Sequence, residues 1–184
     1  MEYELIRSNR KSLAVQIKPD GSVVVRAPMR YPKRDIERFL IEKSGWIEMQ
    51  RARMLRRQES IVGVSALTDE QLRTLKKRAL PAFAERTAYY APLVGVTYGR
   101  ITIRSQKSRW GSCSAQGNLN FNCLLLLAPP EVLDYVVVHE LCHRKHMNHS
   151  PGFWAEVERV MPDYRQWKKW LRDNGVRLMA LLQE

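Results

Sequence analysis

All four histidines of this 184-residue chain fall between positions 139 and 149, and the first two stand in His139-Glu140-Leu141-Cys142-His143, an H-E-x-x-H pattern. On a helix, residues four apart share one face about one turn apart. Two imidazoles so placed can bind a single zinc ion at about 2.0–2.1 Å each. Glu140, beside the first imidazole, reaches a metal-bound water rather than the metal and can take its proton as general base. Three protein ligands would leave a fourth position for that water, which marks a catalytic rather than a structural ion. The chemistry expected of such a centre is hydrolysis, because the ion makes hydroxide available near neutral pH and polarises a carbonyl or phosphoryl oxygen.

The third ligand has to come from nearby. His146 follows His139 by seven residues and would share its face on a continuing helix, but seven residues span about 10.5 Å along the axis. His149 is better placed: Met147-Asn148 can end the helix, Ser150-Pro151 can begin the next, and His149 sits in the reversal. It lies six residues beyond His143, the spacing of H-E-x-x-H-x-x-G-x-x-H enzymes, with His146 at the glycine position. His149 is the preferred ligand, and Glu156, Glu158 and His146 are the alternatives.

A second group precedes the first: Lys107-Ser108-Arg109-Trp110-Gly111-Ser112-Cys113, then Asn118-Leu119-Asn120-Phe121-Asn122. A strand here, leading toward the metal helix, can offer backbone groups to an extended peptide. Arg109 and Trp110 are the candidate substrate-binding residues; Arg109 suits an anionic intermediate or a phosphate. Against this, Trp110 can simply pack in the core and Arg109 pair with a carboxylate. Tyr164 is a candidate for oxyanion stabilisation or for packing.

These residues need a scaffold. Leu13, Val15 and Ile17 alternate with polar neighbours, Pro19-Asp20-Gly21-Ser22 turns the chain, and Val23-Val24-Val25 returns, which predicts a hairpin ended by Pro28. From Tyr31 to Arg57 the spacing becomes helical, with an interruption expected at Gly45. Gln58 to Ala66 reads as a linker. Thr68-Asp69-Glu70-Gln71 has the form of a capping box, opening a helix that Pro81 should kink or restart. Strands are expected at 100–106 and 118–125, and helices at 131–145, from Pro151 to Val160 and at 167–182. The order is α+β, with an N-terminal appendage over 1–60 and a main domain over 67–184.

Lys and Arg number 31 against 19 Asp and Glu, a net charge of +12. The excess divides evenly, 14 basic against 8 acidic in the first 60 residues and 17 against 11 in the rest, so there is no detachable basic tail. Such a field favours anionic partners, nucleotides or nucleic acid included. The run Arg51 to Arg57 suits phosphates or a solvated helix end. Three cysteines without a CxxC pair argue against a disulfide framework and for a reducing, cytoplasmic location. The apolar stretch Cys123 to Pro130 is too short to cross a bilayer, so no membrane partner is expected. Composition leaves the oligomeric state open.

Through Arg109-Trp110-Gly111-Ser112-Cys113, Leu119-Asn120-Phe121-Asn122 and the segment from Val136 to Trp154, the sequence resembles the YgjP-like metal-dependent hydrolases, relatives of the WLM and SprT-type zinc metallopeptidases. The resemblance runs over most of the chain and is sharpest from Ser105 to Pro162. It implies a minimal zincin-like fold, one zinc ion on His139, His143 and His149, Glu140 as base, and an N-terminal hairpin and helix as an appendage. The expected function is a zinc metallopeptidase acting on a protein or peptide. Two rivals use the same residues: a nucleoside triphosphate hydrolase with Arg109 on phosphate, and a nucleic-acid-binding module whose structural zinc is closed by Cys142 or His146.

Overall fold

The computed structural model describes residues 2–182 and divides into two compact units, Met1–Gly63 and Val64–Glu184. In the first, strands β1 (Glu4–Ser8), β2 (Ala14–Ile17) and β3 (Val23–Pro28) form a sheet in the order β1-β3-β2. The β2–β3 hairpin pairs Ile17 with Val23. Gly21 takes a positive φ of 81° in its turn, and Asp20 accepts the Ser22 N–H. Strand β1 runs parallel to β3 and has no clear alternation in sequence, since Leu5 and Ile6 are adjacent. Helices α1 (Lys33–Glu42) and α2 (Ser44–Glu59) follow, the break falling at Lys43 rather than Gly45. Ile17, Val23, Val25, Ala27, Ile36, Leu40 and Ile47 make this unit's core.

The second unit begins with α3 (Asp69–Val94). Thr68 accepts the Gln71 N–H at 3.2 Å and Gln71 Oε1 accepts the Thr68 N–H at 2.9 Å, a reciprocal cap. The helix is one element from end to end, and Pro81 does not restart it. Pro81 and Lys77, whose carbonyl loses its donor, both lie on the exposed side, where water can serve that carbonyl. The opposite face, with Ala79, Phe83, Tyr90 and Val94, is buried.

Strands β4 (Ile101–Arg104), β5 (Gly111–Cys113) and β6 (Leu119–Asn122) form a second sheet, ordered β4-β6-β5, with β4 parallel and β5 antiparallel to β6. Phe121 of β6 stacks flat on Phe83 of α3 at 4.5 Å, fixing the sheet to the helix. The chain expected to stay extended to 125 turns instead into a 3₁₀ segment, Cys123–Leu127. Asn122 causes the turn: its Oδ1 accepts the Leu124 N–H at 3.1 Å.

Helix α4 (Pro130–Cys142) is apolar on nearly every side and packs against α3, β5, α5 (Pro151–Val160) and α6 (Tyr164–Ala180). It stops three residues before Lys145. At its end the ladder tightens, Arg144 N–H bonding to Leu141 O and Lys145 N–H to Cys142 O. The fold is α+β, with the H-E-x-x-H helix packed beside a small sheet. Among the described residues no helix is long and apolar enough to cross a membrane.

Candidate metal centre

His139 lies in the last turn of α4 and His143 caps it. The chain then reverses, and Ser150 opens α5 by accepting the Phe153 N–H, with Pro151 in the first turn. His149 stands immediately before that cap. The reversal folds it over the end of α4, so the ligand atoms of His139, His143 and His149 all lie within 4.8 Å of one another. His139 Nε2 and His149 Nε2 are 3.0 Å apart. The three ring centroids form a near-equilateral triangle with sides of 5.0, 4.9 and 4.8 Å.

The donor set fits a divalent transition ion. Vertices of a tetrahedron with bonds of about 2.0–2.1 Å are separated by about 3.3 Å, close to the observed Nε2 pair. Burial, reinforced by the neighbouring His143 and His149 and by Lys168, pushes the His139 imidazole down to about 3, so it offers a lone pair at neutral pH. Burial, with His143 and Lys168, lowers His149 as well. The His146 carbonyl lies 3.0 Å from His143 Nδ1; donation from that nitrogen leaves Nε2 free to ligate. Neutral nitrogen donors of this kind suit zinc and its neighbours.

Of the alternatives for third ligand, none joins the cluster. The His146 ring lies against α5, 3.3 Å from where a Cβ on Gly152 would sit. Glu156 is held by Arg159 at 2.8 Å and Lys145 at 2.7 Å, which drive its carboxyl down to about 2. Glu158 pairs with Arg165 at 3.2 Å. Cys142 is fully buried, and burial, the largest cause, lifts its thiol to about 12. Its sulfur does not join the converging ligand atoms.

Glu140 is 5% exposed, and burial raises its carboxyl to about 8. Among the described residues no side chain or backbone group hydrogen-bonds its carboxylate. Strand β5 closes on it so tightly that a Cβ on Gly111 would lie 2.5 Å from Glu140 Oε1. A glycine in this place is therefore a condition of the carboxylate's position.

The loop before β5 is anchored from below. Asn122 Nδ2 donates to the carbonyls of Gln106 (2.7 Å) and Arg109 (3.0 Å), and its N–H to that of Trp110. Trp110 packs against α6, its ring 2.9 Å from where a Cβ on Gly175 would sit, while the Arg109 side chain is exposed and makes no ion pair among the described residues. Tyr164 is buried, stacked between Tyr135 (6.3 Å) and Trp154 (5.5 Å).

Sequence reasoning missed the floor of the site. Phe153, wholly buried, lies 4.9, 4.6 and 4.8 Å from the rings of His139, His143 and His149. Trp154 stacks on His149 at 5.7 Å and 24°. A Phe-Trp pair following a helix cap was the available signal.

Residues 11–73 and 64–174 match the family described as YgjP-like, metallopeptidase domain. The chain belongs to this family. This YgjP-like protein is thus a metallopeptidase-class, metal-dependent hydrolase, and the three-histidine group is a place where a metal can bind. No curated protein matches it. Among solved structures it is similar to the metallopeptidase zymogen abylysin of Pyrococcus abyssi, at 24% identity and a TM-score of 0.45, over 49% of this chain and 92% of that one. It is also similar to the metallopeptidase zymogen jannalysin of Methanocaldococcus jannaschii, at 19% identity and a TM-score of 0.45, over 50% of this chain and 95% of that one.

Proposed function

We propose that this YgjP-like chain hydrolyses peptide bonds, with His139, His143 and His149 holding one zinc ion and Glu140 serving as general base. The observation that carries the reading is the convergence of three imidazoles, with the buried Glu140 next in the chain to His139 and without a hydrogen-bond partner among the described residues. When bound, zinc supplies Lewis acidity toward the scissile carbonyl and lowers the pKa of water. The remaining chemistry belongs to the chain. Glu140 takes a proton from the attacking water at a carboxylate oxygen and returns it to the departing amine.

A peptide rather than a small anion suits β5. This three-residue strand pairs with β6 on one side only, and its first residue touches the base. An extended substrate can add to the open edge and so be drawn past Glu140. Arg109 steadies the substrate from the loop that Asn122 anchors, and Trp110 secures that loop against α6.

The test is cleavage of casein and a fluorogenic peptide panel by zinc-loaded protein, beside hydrolysis of UTP. Glu140→Gln should keep its zinc and lose about 10²- to 10⁴-fold in kcat. Turnover of the nucleotide with no peptide cleaved would reverse the assignment.

A further inference from the structure

One cation on α6 behaves differently from its neighbours. Arg165 holds Glu158, and Lys169 and Arg172 both hold Asp173. Lys168 pairs with no carboxylate among the described residues. Its ammonium instead lies 3.6 Å from the centroid of the Trp154 ring, the same ring that stacks on His149.

We propose that Lys168 binds a substrate carboxylate, so that the site selects peptides carrying a negative charge next to the scissile bond. The inference rests on the peptidase reading above. An ammonium has three donors and no acceptor, and the face of Trp154 occupies only part of that capacity. The ring also restrains a flexible four-carbon stem, lowering the entropy lost when a ligand is gripped. The result is a positioned, unneutralised cation at the rim of a site built for an extended chain. The carboxylate can be an acidic side chain or a free C-terminus.

Binding and turnover are measured separately. Calorimetry on zinc-loaded Glu140→Gln protein compares amidated peptides carrying glutamate or glutamine beside the scissile position, then a neutral peptide with a free or an amidated C-terminus. Wild-type kcat/KM is measured on the same set. The charged member of one pair should bind about tenfold tighter, and the pair that shows the difference identifies the source of the carboxylate. Lys168→Gln should abolish the preference through KM while leaving kcat and zinc content unchanged, and Lys168→Glu should reverse it toward lysine-containing peptides. Equal affinity within both pairs overturns the proposal. So does an equal loss on every peptide in Lys168→Gln, or loss of zinc in that variant. If wild-type protein cleaves no peptide, the peptidase reading fails, and the binding comparison still decides the role of Lys168.

Discussion

Gly111 and Glu140 are in contact with no space for a side chain between them: a Cβ on Gly111 would lie 2.5 Å from Oε1, 2.8 Å from Cγ and 2.9 Å from Cδ of Glu140. The strand offered to substrate and the carboxylate proposed as base are thus positioned by one another. In Gly111→Ala the carboxylate, already 5% exposed, has to move by roughly 1 Å, and a displacement of that size costs about 100-fold in rate. The expected outcome is a kcat lower by that factor with zinc content unchanged, read from steady-state kinetics and metal analysis. A fully active Gly111→Ala enzyme would show that β5 yields instead and that the contact has no catalytic consequence.

The same contact explains why part of the site was legible in sequence and part was not. His139 and His143 come together because the helical repeat converts a spacing of four directly into a shared face. His149 was legible through the Ser150-Pro151 cap that follows it, since a cap marks where a chain reverses. Gly111, Asn122 and Lys168 act across long sequence separations, and no local period records which residue a glycine must make room for. The elements show the same division. The capping box at Thr68 and the β2–β3 turn are local and were readable. Strand β1 is defined by its parallel partner alone, and the 3₁₀ turn at Cys123 by a side chain of the preceding strand.

Phe153 supports the metal centre from beneath, touching all three histidine rings at 4.6–4.9 Å. His139 depends on such packing, because its buried Nδ1 has no hydrogen-bond partner among the described residues to fix its orientation. Phe153→Ala should weaken zinc binding by about 10- to 100-fold and cost about 3–5 kcal/mol in stability. Phe153→Leu, which keeps much of the volume, should lose less of both. Competition with a chromophoric chelator measures the first effect and urea denaturation the second. Undiminished affinity in Phe153→Ala would mean that the imidazoles orient themselves.

Asp134 lies on α4 five residues before His139, yet its role is structural. It accepts two hydrogen bonds from Arg86, at 2.6 and 2.7 Å, and a third from the Tyr90 hydroxyl at 3.1 Å, tying α3 to the metal helix. Asp134→Asn leaves Arg86 facing a neutral partner, and because that guanidinium is one-third exposed the expected cost is about 2 kcal/mol rather than the larger figure for a fully buried pair. Its kcat should match the wild type under conditions where both are folded. A selective fall in kcat at unchanged stability would place this network in the chemistry.

Glu156 gives the protein a pH dependence that can be separated from the metal centre. Arg159, the larger influence, and Lys145 hold its carboxyl down to about 2 in the folded state, against 4.5 for the free group. A depressed carboxyl stabilises the fold in its charged form, so the contribution is complete above about pH 4.5 and disappears as pH falls toward 2. Glu156→Gln should therefore be less stable than wild type at pH 7, by on the order of 1 kcal/mol after solvent screening, and the two should converge on acidification. Melting of both metal-free proteins between pH 2.5 and pH 7 tests this, because removing zinc eliminates the titration of its ligands against metal. Since Lys145 belongs to the reversal after α4 and Glu156 to α5, the same variant should also loosen the connection that brings His149 over His139. Its zinc affinity should then fall modestly at pH 7 while the first coordination partners are intact. A stability deficit that stays constant across the whole range would assign the effect to packing rather than to charge.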